Sequence, residues 1–299
     1  MPQALTVRRL TRSYGSRKAV DALDLEVLEG DVYGFLGPNG AGKTTAMRCI
    51  LGLIRRDEGE VTLLGDTDPV RQRRGVAAII ETPAFHDWMT ARQNLMQAGW
   101  YGGLSGSSLD RAIERVLERV GLVDRADERT RGYSLGMRQR LAIARCLLGE
   151  PRMLFLDEPT NGLDPAGMKD MRDLVRSLAM HDGITVLVSS HLLAEVQAIC
   201  NRVGIIDRGR MRAEGTVADL LKSADQPVYR VRCASAVALA EALPAESFTV
   251  ESTDGDVLLV RTALPAEDLN RRAFELGFAL SMLAPVERNL EDVFLEVLA

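Results

Sequence analysis

The stretch Gly37-Pro38-Asn39-Gly40-Ala41-Gly42-Lys43-Thr44 matches G-x-x-x-x-G-K-[ST] at every fixed position, and nothing else in the chain limits its fold so tightly. Such a loop needs a buried strand to enter it and a helix to leave it. Val32-Tyr33-Gly34-Phe35-Leu36 reads as the strand, and Thr45 to Leu53 carries apolar residues at helical spacing. The glycines let the backbone curl so that its N–H groups point into one concavity, at the positive end of the helix that follows. A triphosphate is the expected ligand, with Lys43 reaching the β- and γ-phosphates and Thr44 holding Mg²⁺ through its hydroxyl. A Gly-rich turn without ligand is the competing reading.

At 299 residues the chain is long enough for one large domain and a small one. Its net charge of -5, with acids and bases interleaved, offers no basic face for a phosphate backbone, so no nucleic-acid partner is expected. Cys49, Cys146, Cys200 and Cys233 form no C-x-x-C pair and read as buried thiols of a reducing compartment. The N-terminus lacks a signal-peptide core, and no run approaches the roughly 18 apolar residues of a bilayer span. A role at a membrane would therefore come through another chain.

Leu5 to Leu28 alternates apolar and polar residues around the turn Tyr14-Gly15-Ser16, which predicts an antiparallel sheet beside the nucleotide strand. An aromatic at that turn is placed to stack on an adenine base, or serves only as a packing residue. Glu60 to Leu64 reads as a short strand, and Val76 to Ile80 as another, delivering Glu81-Thr82-Pro83 to an open loop. Residues 87 to about 150 turn helical. Thr90-x-x-Gln93 resembles a capping box, Leu109 to Val120 has helical periodicity, and Gly121 stops it. Two fully apolar runs follow: Met153 to Leu156, closed by Asp157-Glu158, and Gly183 to Val188, closed by Ser189-Ser190-His191. Strands apolar on both faces belong in a covered parallel sheet, and polar residues at their C-terminal ends are where such sheets place ligands.

These residues carry a division of labour. Asp157 at the strand tip would orient Mg²⁺ through its water shell, while Glu158 accepts a proton from attacking water. A strand-end acidic pair that merely caps the next element is the structural alternative. His191, at the end of the next strand, is placed to bond the γ-phosphate and fix Glu158, whereas His86 and His181 read as structural. Tyr133-Ser134-Leu135-Gly136-Met137-Arg138-Gln139 leads into a helix predicted over Arg140 to Leu148. Ser134 and the N–H groups beside Gly136 form a second anion site, or else a serine N-cap with a close-packing glycine. One phosphate chain does not need two such sites, so the second would serve the nucleotide of a neighbouring subunit.

In these motifs residues 1 to about 215 resemble the ATP-binding subunit of an ABC transporter. Tyr14 matches the adenine-stacking aromatic, Gly37 to Thr45 the Walker A loop (Gly37, Asn39, Gly40, Ala41, Gly42, Lys43, Thr44, Thr45), and Ser134 to Arg138 the signature. Leu154 to Glu158 matches Walker B, Asn161-Gly162-Leu163-Asp164 the D-loop, and His191 the switch histidine. The resemblance implies an α/β P-loop NTPase fold with an antiparallel β subdomain and a helical subdomain at about 87–150. It implies ATP and Mg²⁺ as ligands, a homodimer or heterodimer closing head to tail around two ATP, and a separately encoded integral membrane permease docked on the helical insertion. The chain would then lie on the cytoplasmic face of the cell membrane. The signature departs from the common S-G-G-Q, and Glu81 stands where most members carry glutamine. A carboxylate there is a hard donor, expected to join Thr44 and Asp157 on the metal. Glu-Thr-Pro, the signature Met and the ending Leu290-Glu291-Asp292-Val293-Phe294-Leu295 resemble bacterial ABC-2 exporters of antibiotic resistance and bacteriocin immunity. A soluble ABC ATPase acting on DNA or ribosomes is the alternative, although such relatives tend to carry two nucleotide domains or long insertions.

After a linker at 216–227, residues 228–299 read as β-α-β-β-α-β, a small ferredoxin-like α+β module with a terminal helix from Asn289 to Leu298. It carries no chemical motif, so dimer contact or regulation is expected of it.

Overall fold

The computed structural model describes residues 2–298 except 69, 73, 82, 223–225 and 287–288. The chain divides into two compact units, Met1–Ala218 with Phe294–Ala299, and Asp219–Val293.

In the first unit a long hairpin, β1 (Gln3–Tyr14) and β2 (Arg17–Leu28), precedes β3 (Val32–Leu36) and α1 (Lys43–Ile50). Then come β4 (Glu58–Leu63), β5 (Val76–Ile79), α2 (Ala91–Tyr101), α3 (Gly106–Arg119), α4 (Leu135–Leu147), β6 (Met153–Asp157), α5 (Pro165–Asp182), β7 (Thr185–Ser190), α6 (Leu193–Ile199), β8 (Arg202–Asp207) and β9 (Arg210–Thr216), and the unit boundary after Ala218 falls within α7 (Val217–Lys222). The six-stranded sheet runs β5-β6-β7-β3-β8-β9, parallel except where β9 folds back on β8. β3 and β7 are buried at every position, in β7 with the polar Thr185, Ser189 and Ser190 included. Each Leu, Val or Ile so buried contributes about 1.5–3 kcal/mol of transfer free energy. β2-β1-β4 form a separate antiparallel sheet, and both sheets share one core through Leu5, Val7, Leu25, Tyr33, Phe35, Met47 and Phe155.

Local signals explain the helix starts. Thr90 and Gln93 form the full capping box of α2, Ser134 accepts from Met137 N to cap α4, and Asp164 accepts from Gly167 N to cap α5. α4 therefore begins at Leu135, one and a half turns before the predicted Arg140. The serine cap, not the later apolar periodicity, sets its start. The region between His191 and the expected linker had no sequence forecast: α6 (Leu193–Ile199), β8, whose Arg202–Asp207 run pairs with β3, and β9 beside it. The stretch expected as a linker carries α7, while 223–225 lie outside the described residues.

The second unit comprises β10 (Val228–Cys233), α8 (Ala236–Ala242), β11 (Thr249–Asp254), β12 (Val257–Arg261), α9 (Ala266–Glu275) and β13 (Leu280–Pro285). Its antiparallel sheet has the order β11-β12-β10-β13 and its own core around Val231, Leu239, Leu258, Val260 and Leu269. The last helix is α10 (Leu290–Leu298), and the unit boundary falls within it, after Val293.

Candidate functional site

Three neighbouring parallel strands, β6, β7 and β3, end side by side, with Asp157 level with Ser189 and Leu36 level with Ser190. The phosphate-loop residues leave β3 at this end. Gly42 takes φ +107, and a Cβ there would stand 2.3 Å from the Ala19 carbonyl oxygen; a Cβ on Gly37 would meet the Ile206 carbonyl at the same distance. Both positions therefore exclude any side chain. α1 has Gly42 as its N-cap and so no side-chain cap, unlike α2, α4 and α5, which leaves its first N–H groups available to an anion. A cavity of about 420 Å³ lies against this loop, lined by Tyr14, Arg17, Ala19, Pro38 to Thr45 and Glu158.

The Lys43 ammonium, almost buried, donates to the Gly37 carbonyl at 2.6 Å and lies 3.5 Å from Glu158 Oε1. Thr44 Oγ1 donates to Asp157 Oδ2 at 2.8 Å, joining α1 to the tip of β6. On its other oxygen Asp157 accepts from Ser189 Oγ, and Ser189 also receives the Glu158 N–H, at 3.1 Å on Oγ and 3.2 Å on its carbonyl. Glu158 takes φ +50, an uncommon conformation for a residue with a side chain. His191 Nδ1 lies 2.7 Å from Glu158 Oε2; a carboxylate only accepts, so Nδ1 carries the hydrogen. Lys43, Thr44, Asp157, Glu158 and His191 thus form one connected network. The paired hydroxyl of Thr44 and carboxylate of Asp157 are hard oxygen donors that fit Mg²⁺.

Tyr14 stands at the cavity rim, half exposed, with the Arg12 guanidinium 4.8 Å from its ring centroid. Arg12 is held in turn by Asp57, which also accepts from Ser13 N. Two expectations fare differently. Glu81, expected on the metal with Thr44 and Asp157, is ion-paired with Arg48 of α1, at φ +72. Gly136 was read as an anion site or a close-packing glycine; a Cβ there would meet only Leu163, at 3.8 Å, so packing within this chain does not require it. Ser134, Gly136 and Asp164 do not line the cavity. Ser189 and Arg48 are site neighbours that motif reading passed over; a serine closing a wholly apolar strand was the available signal for the first.

A parallel sheet whose strand ends hold a phosphate loop, a loop lysine and a strand-tip Asp-Glu pair defines a P-loop nucleoside triphosphatase. The sequence profile of the ABC transporter family matches residues 20–161. The bacitracin transport ATP-binding protein BcrA of Bacillus licheniformis is 38% identical over 97% of this chain and 95% of its own length. The daunorubicin resistance ATP-binding protein DrrA3 of Streptomyces coeruleorubidus is 38% identical over 98% and 95%. A solved ATP-binding subunit of an ABC transporter superposes with a TM-score of 0.64 at 29% identity, covering 73% of this chain and 92% of the other. The chain belongs to the family of ABC transporter ATP-binding proteins, and its reaction is ATP hydrolysis. No helix among the described residues is long and apolar enough to cross a membrane.

Proposed function

We propose that this chain is the motor subunit of an exporter, closing with a second ATP-binding subunit around two Mg-ATP and driving a separate membrane permease. The observation that carries the dimer is the separation of two phosphate-binding elements in one chain. The loop at Pro38–Thr45 lines the cavity, whereas the capped start of α4 does not. Ser134 accepts from Met137 N, which leaves its hydroxyl hydrogen to donate to a phosphate of the other subunit's nucleotide. Asp164, Tyr14 and the loop residues complete the nucleotide contacts in this reading.

Hydrolysis follows from the network. Water attacks the γ-phosphorus, the bond to the β-phosphate's bridging oxygen breaks, and the water's proton passes to Glu158, which His191 holds in place. Lys43 answers the phosphate charge. Thr44 and Asp157 would hold Mg²⁺, which supplies charge neutralisation on the phosphates. Glu81 joins them only if its pair with Arg48 opens.

Export is supported by the relatives named for bacitracin transport and daunorubicin resistance. Trp88 and Trp100, 66% and 59% exposed, give the helical segment an apolar surface suited to a partner. Through that partner the chain lies at the cytoplasmic face of the membrane. The test is dimerisation of the Glu158→Gln variant by light scattering in saturating Mg-ATP. A dimer is expected, lost on adding Ser134→Arg; a persistent monomer refutes the shared-site reading.

A further inference from the structure

We propose that Arg17 is a second phosphate-binding cation of the nucleotide site, gripping an oxygen of the phosphate chain on its nucleoside side. Tyr14 and Arg17 are direct partners across the β1–β2 hairpin, closed by Gly15 and Ser16. Directly opposed residues of an antiparallel pair share one face of the ribbon, so the aromatic ring and the guanidinium are delivered together. Both line the cavity against the phosphate loop.

The cations around this corner differ in what they already hold. Arg12 is committed to Asp57 and Lys18 to Asp21, each at 2.8 Å. Lys43 is enclosed by the Gly37 carbonyl and Glu158. Arg17 is exposed, and its side chain's single polar contact among the described residues is a 3.5 Å approach of Nη2 to the Gly40 carbonyl. That is the far limit of a hydrogen bond, and it leaves most of the guanidinium's donors uncommitted. Lys43 and Arg17 are the cavity's two lining cations. Lys43 sits with Thr44 and Asp157, at the end that motif chemistry gives to the terminal phosphates. Arg17 sits opposite Tyr14, at the end given to the base. A planar fork at that position matches phosphate oxygens better than a point charge does.

This inference rests on the nucleotide reading of the site. Its test is calorimetric titration of the full chain with ATP, ADP and adenosine in Mg²⁺, for wild type and for Arg17→Ala, Arg17→Lys and Arg17→Gln. Arg17→Ala should weaken ATP and ADP by the same factor, about 10-fold, the lower end of what a hydrogen bond to a charged group provides. Adenosine should be unaffected. Arg17→Lys should recover part of the loss, and Arg17→Gln, which keeps a donor for Gly40 but no charge, should bind as poorly as Arg17→Ala. Unchanged affinities overturn the proposal. So does a loss confined to ATP, an equal loss for adenosine, or wild-type binding by Arg17→Gln, which would leave only a loop brace. If wild-type protein itself binds neither nucleotide, the reading of the site fails instead.

Discussion

The imidazole Nδ1 of His191 lies 2.7 Å from Oε2 of Glu158, tying the residue after β7 to the residue after β6. Because those strands are adjacent and parallel, the contact needs no long reach from either side chain. Glu158→Gln should lower hydrolysis roughly 10²- to 10⁴-fold, as for loss of a general base, with ATP affinity retained. His191→Ala should lower it without altering affinity, by leaving the carboxylate unheld. Phosphate release and equilibrium binding, measured side by side, check both; a turnover rate unmoved by Glu158→Gln removes that residue from the chemistry.

Ser189, fully buried, is bonded to Asp157 and to the Glu158 N–H at once. Ser189→Ala should therefore cost about 1–3 kcal/mol of stability through the Asp157 oxygen it leaves unpaired, while the Glu158 N–H keeps the residue-189 carbonyl. It should also lower hydrolysis, since the Asp157 carboxylate loses a fixed partner. Urea denaturation with steady-state kinetics separates the two effects.

Gly42 combines φ +107 with a Cβ position 2.3 Å from a carbonyl oxygen. Gly42→Ala is expected to displace the loop and abolish ATP binding. The separate core of the second unit, around Val231 and Leu258, is expected to stay intact. Calorimetry reads the first effect and amide exchange the second.

Arg48 occupies the Glu81 carboxylate. If that carboxylate serves the metal, Arg48→Gln releases it and lowers the Mg²⁺ needed for half-maximal hydrolysis. An exposed ion pair limits the gain to about fivefold. The double variant Arg48→Gln/Glu81→Gln should lose the gain. An unchanged Mg²⁺ requirement assigns the pair a purely structural role.

Burial pushes the thiols of Cys49 and Cys146 up to about 11 from about 9. The native state then keeps protons that the unfolded chain releases, so this contribution is complete below pH 9 and is lost as pH rises through 11. Denaturation midpoints at pH 8 and pH 10.5 should differ less in a Cys49→Ala/Cys146→Ala variant than in wild type.

The capping box at Thr90, the tyrosine turn and the two apolar strands were legible because each is written in neighbouring residues. The start of α4 was misjudged because apolar periodicity outweighed a cap at Ser134 in the reading. β8 and β9 went unread; β8 draws its place from pairing with β3, far away in the chain.

Sequence alone picked out the residues of the site: a phosphate loop, a strand-tip Asp-Glu pair and a histidine closing the next strand, each recognisable because backbone geometry and residue type act locally there. Tertiary structure alone decided which side chains meet. The Asp157–Ser189 register, the engagement of Glu81 by Arg48 and the pairing of Tyr14 with Arg17 beside the loop all depend on which strands lie adjacent and in what register. Such contacts join residues far apart in the chain, 33 positions for His191 and Glu158 and 113 for Thr44 and Asp157, and hydrophobic periodicity specifies a face to bury without specifying its neighbour.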